Sequence, residues 1–110
     1  MSGEVVFQVS EIIKANIVWG RNCGSAIKID TCFNKLQVRS FKSKESEGVV
    51  RSLANKLVLQ VNRIECYQKN INELPRIYTG GLVFDTNNIK IIEIELNKLS
   101  KNEYLELIIE

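Results

Sequence analysis

An α+β domain is the fold class this sequence predicts: a mainly antiparallel or mixed sheet of about six to eight strands, with one long helix at about 46–59 packed on a face. Three observations predict it. Short stretches alternate apolar and polar residues along much of the chain, as half-buried strands do. The segment from Ser46 to Leu59 instead repeats its apolar residues at three- and four-residue steps. Turn-forming clusters, such as Gly20-Arg21-Asn22-Cys23-Gly24 and Asp85-Thr86-Asn87-Asn88, separate the segments.

Taken in order, Val5, Phe7 and Val9 alternate with Val6, Gln8 and Ser10, which reads as a first strand. Asn16 to Gly20 is a short apolar run ending in a turn. Ala26 to Asp30 and Leu36 to Phe41 read as further strands. The helix follows, with Ser43 or Ser46 as its cap and Glu45 or Glu47 near the positive end of its dipole. Val50, Leu53, Ala54, Leu57 and Val61 make its apolar stripe. Asn62 to Tyr67 and Arg76 to Asp85 read as extended, with Gly80-Gly81 marking a bulge or a close backbone approach. Ile89 to Leu96 alternates, with Ile92, Ile94 and Leu96 opposed to Glu93 and Glu95. Tyr104 to Glu110 alternates too. Ser100-Lys101-Asn102-Glu103 also matches a helix capping box, so a helix remains the alternative for 97–110.

With 110 residues, 45% hydrophobic and 25% charged, the chain suits one globular domain over 1–110 that folds without a disulfide or metal staple. Its apolar runs are far too short to span a bilayer, and Met1-Ser2-Gly3-Glu4 does not open a secretory signal. Cys23, Cys32 and Cys66 are unevenly spaced and form no Cys-x-x-Cys pair. Reduced thiols are expected, at least two of them packed in the core, in a cytoplasmic protein. The abundance of Ile, Asn and Lys suits an AT-rich genome, of a viral or archaeal kind.

The chain contains no histidine. Ser-His-Asp, Cys-His and His-metal sites within one chain are thereby excluded. No phosphate loop stands in their place, since Gly80-Gly81 lacks the Lys and Ser/Thr that such a loop needs. No catalytic, metal or cofactor residues are assigned. Glu93 and Glu95 read as the wet face of a surface strand rather than as an acid–base pair.

Net charge is only +2, but basic residues crowd the middle of the chain and acidic ones its end. Arg39, Lys42, Arg51 and Arg63 are the candidate ligand or anion contacts. The first three flank the expected helix start, where free N–H groups attract anions. The function this supports is a small non-catalytic binding or assembly module. Its partner would be another protein or a second copy, as a homodimer. Nucleotide or nucleic-acid binding is the alternative, and no membrane role is expected.

The order of elements over 49–110 adds a resemblance. The expected helix Val49-Val50-Arg51-Ser52-Leu53-Ala54-Asn55-Lys56-Leu57, the extended Asn62-Arg63-Ile64-Glu65 and the closing Leu107-Ile108-Ile109-Glu110 resemble the small viral ring nucleases that oppose type III CRISPR signalling. The resemblance implies a dimer that holds a cyclic oligoadenylate between subunits, with Arg63 near the ligand. Where that family carries a histidine before its long helix, this chain has Glu47-Gly48-Val49, and Thr79-Gly80-Gly81-Leu82 stands near the place of its acidic segment. What carries over is therefore binding rather than cleavage.

Overall fold

A computed structural model describes residues 4–14, 16–40, 49–54, 58–84 and 89–109. Among them the elements are β1 (Val6–Ile13), β2 (Ile17–Asn22), β3 (Ile27–Lys28), β4 (Cys32–Phe33), β5 (Lys35–Ser40) and β6 (Val49–Ala54). There follow β7 (Leu59–Cys66), β8 (Lys69–Ile71), β9 (Glu73–Leu74), β10 (Thr79–Phe84), α1 (Ile89–Asn97) and β11 (Glu103–Ile108).

The ladders run β4-β7-β10-β2-β1-β11-β5-β6, with β8 beside β7 and β3 paired to β9. Every described pairing is antiparallel. Only Asn34 separates β4 from β5, and its N–H donates to the Ile108 carbonyl at 3.1 Å. The stretch from Cys32 to Ser40 is therefore one bent strand that pairs with β7 at its start and with β11 further on. That closes the sheet into a barrel, which removes most of the edges an open sheet would expose.

Strand side chains alternate between the two sides of the wall. Phe7, Val18, Phe33, Leu36, Leu59, Val61, Ile64, Leu82, Leu105 and Leu107 point inward and are wholly buried. Phe33 and Phe84 meet edge to face, with ring centres 6.4 Å apart. Gly20 and Gly80 pair across β2 and β10 on this inner side. A Cβ at Gly20 would collide with the Gln8 carbonyl oxygen and come within 2.9 Å of Cε2 of Phe7. The missing side chain thus leaves room for the Phe7 ring.

The α+β expectation does not hold: the described residues form a mostly antiparallel sheet with one short helix, and they contain no long helix at 46–59. The described parts of that segment are strand: 49–54 form β6, and β7 starts at Leu59. The apolar stripe does not lie on one face. Val50 is 43% exposed, whereas Val61 is fully buried on a different strand. Pairing with β5 decides the outcome, because β6 satisfies the backbone along that strand's second edge, which local periodicity cannot reveal. Residues 41–48 and 55–57 lie outside the described residues, and with them the expected caps.

Among the described residues the one helix is α1, nine residues long, in a segment that reads as a strand. Ile89 and Ile92 are buried, Leu96 and Leu99 pack on the core, and Ile94 is 52% exposed. That spacing of three and four residues is helical, and the alternation of Ile92, Ile94 and Leu96 is incidental. No described helix is long and apolar enough to cross a membrane.

The other corrections are local. Residues 103–108 are strand rather than helix, yet half of the capping box forms: the Ser100 N–H donates to the Glu103 carboxylate at 2.7 Å, closing a turn into β11. Of the three cysteines only Cys66 is buried; Cys23 and Cys32 are exposed. The Gly80-Gly81 backbone lies close to its neighbours, and the register shift of β10 falls later, at Val83 and Phe84.

Candidate functional site

A groove of about 850 Å³ opens where β1 and β11 part. The two strands pair from Val6 opposite Ile108 to Val9 opposite Leu105. There β1 bulges at Ser10, where its pairing with β2 jumps from Val9 to Glu11. A bulge bends its strand and sharpens the twist. From Ser10 to Ile13, β1 follows β2 and, among the described residues, leaves its other edge without a ladder. The C-terminal half of α1 and the turn into β11 form the opposite bank.

Val9, Ile12, Leu96 and Leu99 supply the apolar lining, while Glu11, Glu93 and Glu103 supply carboxylates. Among the described residues no lysine or arginine lines the groove. Glu11 and Glu93 are exposed, and neither forms an ion pair among the described residues. Glu103 is held firmly. Its carboxylate accepts the Ser100 N–H at 2.7 Å and the Ser40 hydroxyl at 3.3 Å, and Arg51 Nη2 lies 3.9 Å away. The Ser100 N–H above all, with the Ser40 hydroxyl and the Arg51 charge, holds the Glu103 pKa below its ordinary value. Glu11 and Glu93 therefore set negative charge beside an apolar surface, while the Glu103 carboxylate is shared with Arg51. Among the described residues no cluster of three His, Cys, Asp or Glu side chains is placed to hold a metal ion.

The four residues singled out in the sequence are dispersed. Arg39 lies opposite Val50 in the β5–β6 ladder, and Arg51 opposite Val38, so their side chains leave opposite faces of the sheet. Arg39 Nε lies 3.0 Å from Oε2 and 3.2 Å from Oε1 of Glu106, whose Oε1 also accepts from Gln37 Nε2 at 2.7 Å. Glu106 is buried, and this network satisfies its carboxylate oxygens in the barrel wall. Arg51 faces Glu103. Arg63 stands on another ladder, opposite Val83, with Glu65 at 3.4 Å. Lys42 lies outside the described residues. The stretch 49–57 that carries the ring-nuclease resemblance is strand from 49 to 54.

Glu93 and Glu95 do not share a face. On the helix they point apart, Glu93 toward the groove and Glu95 toward Lys98 at 3.3 Å. Glu11 and Tyr104 gave no signal in the sequence, because a groove between sequence-distant strands leaves no local pattern. The helical spacing of Ile89, Ile92, Leu96 and Leu99 was the one clue that places Glu93 on the flank of an apolar stripe.

Cys23 sits just after β2 and is exposed as a residue, but partial desolvation of its thiol, then the Glu106 charge, raises its pKa above the ordinary value of 9.0. It stays a thiol at neutral pH and is a poor nucleophile. No protein-family model, curated protein or solved structure matches this chain.

Proposed function

We propose that this protein is a small binding module that works through protein contacts at the groove between β1, α1 and β11, without chemistry of its own. The observation that carries this reading is the groove, in which an unladdered stretch of β1 lies beside apolar side chains and carboxylates. Open strand edges and apolar concavities are the surfaces on which proteins capture other chains. The carboxylates disfavour phosphate-bearing ligands, and Arg39, Arg51 and Arg63 each already face a carboxylate.

The test is affinity capture from host extract with the wild-type protein and with Glu93→Lys/Tyr104→Ala. Both substituted side chains are exposed, so the fold is expected to survive. A discrete protein retained by the wild type and lost by the variant is the expected result. Equal capture by both proteins would sink the reading, as would a nucleotide as the sole bound species.

A further inference from the structure

We infer that the occupant of the groove is an extended peptide segment bearing lysine or arginine, taken up as an added strand along Ser10–Ile13 of β1. The inference rests on the groove being the binding surface proposed above, and names the chemistry of its partner.

Two independent features of the groove converge on this occupant. The first is the backbone. From Ser10 to Ile13, β1 hydrogen-bonds β2 on one side, while its ladder with β11 has already ended at Val9. An added strand would continue the sheet there and satisfy those backbone groups, which no globular ligand surface does as economically. The second is charge. Glu11 stands on the strand itself and Glu93 on the helical bank, with no cation among the described lining residues, whereas Glu103 at the end of the groove already has Arg51 Nη2 at 3.9 Å. Hydrogen bonds from Ser100 and Ser40 lower the Glu103 pKa from its ordinary value. A strand places successive side chains on opposite sides. One set of the peptide's side chains would meet Val9, Ile12, Leu96 and Leu99, and the other would meet Glu11 and Glu93. The selected sequence is therefore apolar at alternate positions and basic between them. Proline is excluded from its centre, where it would remove a ladder hydrogen bond.

The test is selection of a random dodecapeptide display library on the full-length protein. The best peptides are then measured by fluorescence anisotropy against the wild type and Glu11→Gln/Glu93→Gln. Both glutamates are exposed, so the variant is expected to melt as the wild type does. Peptides with alternating apolar and Lys/Arg residues are expected. Their affinity should fall about tenfold in the variant and decline with added salt. A central proline in the peptide should abolish binding.

Three outcomes overturn the inference. Enriched peptides without basic residues do so, as does binding that the glutamine variant leaves unchanged. A concentration-dependent dimer that the variant dissociates would mean that a second copy fills the groove. If no peptide is enriched while the variant Glu93→Lys/Tyr104→Ala still loses a captured protein, the peptide inference fails and the broader reading stands. If that variant loses nothing either, both fail.

Discussion

At the residue scale, Asn22 is the polar side chain on which most of the loop structure depends. It is fully buried, and its three side-chain hydrogen bonds all go to backbone groups. Nδ2 donates to the Leu74 carbonyl at 2.9 Å and the Ser25 carbonyl at 3.0 Å, and Oδ1 accepts the Gly24 N–H at 2.9 Å. Asn22→Ala leaves these buried groups without partners, so a loss of about 2–4 kcal/mol is expected in chemical denaturation. A loss within experimental error of zero would show that water replaces the amide. Glu103 contributes to acid sensitivity. Its folded-state pKa lies below its ordinary value of 4.5, so its stabilisation is complete above that value and fades as pH falls through the folded value. Glu103→Gln is therefore expected to melt below the wild type at neutral pH. The gap should close on the acid side of about pH 4.5, and a gap independent of pH would contradict this.

Elements show where local backbone geometry is strained. Tyr67 and Gln68 join β7 to β8 as a two-residue hairpin loop, with φ of 51° and 65°. Both residues are left-handed, the geometry that favours Asn-Gly. Replacing the pair by Asn-Gly is expected to stabilise the protein by about 1 kcal/mol, read as a higher denaturation midpoint. Destabilisation would mean that the exposed Tyr67 ring makes contacts that outweigh the strain. Helix α1 fails as a strand because its buried residues follow a helical period and pack on the barrel core. Ile92 is fully buried there, and Ile92→Ala is expected to cost about 2–4 kcal/mol. Because α1 forms one bank of the groove, the same substitution is expected to weaken capture of a partner while the protein remains folded. An unchanged affinity would separate the helix from binding.

The whole molecule is dominated by pairings between distant parts of the chain. β1 is flanked by β11, so Val6 lies opposite Ile108, and the bent strand β4–β5 closes the ring. Closure demands that loop entropy be overcome before these contacts form, so refolding is expected in about milliseconds to seconds rather than microseconds. Stopped-flow fluorescence of Trp19 measures this, and a microsecond phase accounting for the full signal would contradict it. The scale also explains what the sequence disclosed about the site. Glu11, Glu93, Glu103 and Tyr104 come from three separate elements, and only closure of the barrel brings them together. Arg39 and Arg51 looked like neighbours on the approach to a helix, but in a strand pair their register turns them to opposite faces.

From the sequence alone came the lack of histidine chemistry, the prevalence of strands and the alternation that makes Phe7, Val9, Leu105 and Leu107 core residues. Those are local properties, set by residue type and period. Tertiary structure decided which apolar segment became the helix, how the strands closed and where the groove lies. Val50 to Val61 and Ile89 to Leu96 each satisfy a helical and an extended pattern in part. Their outcome depended on which backbone edges and which part of the barrel core remained to be covered, and neither is written in the segment itself.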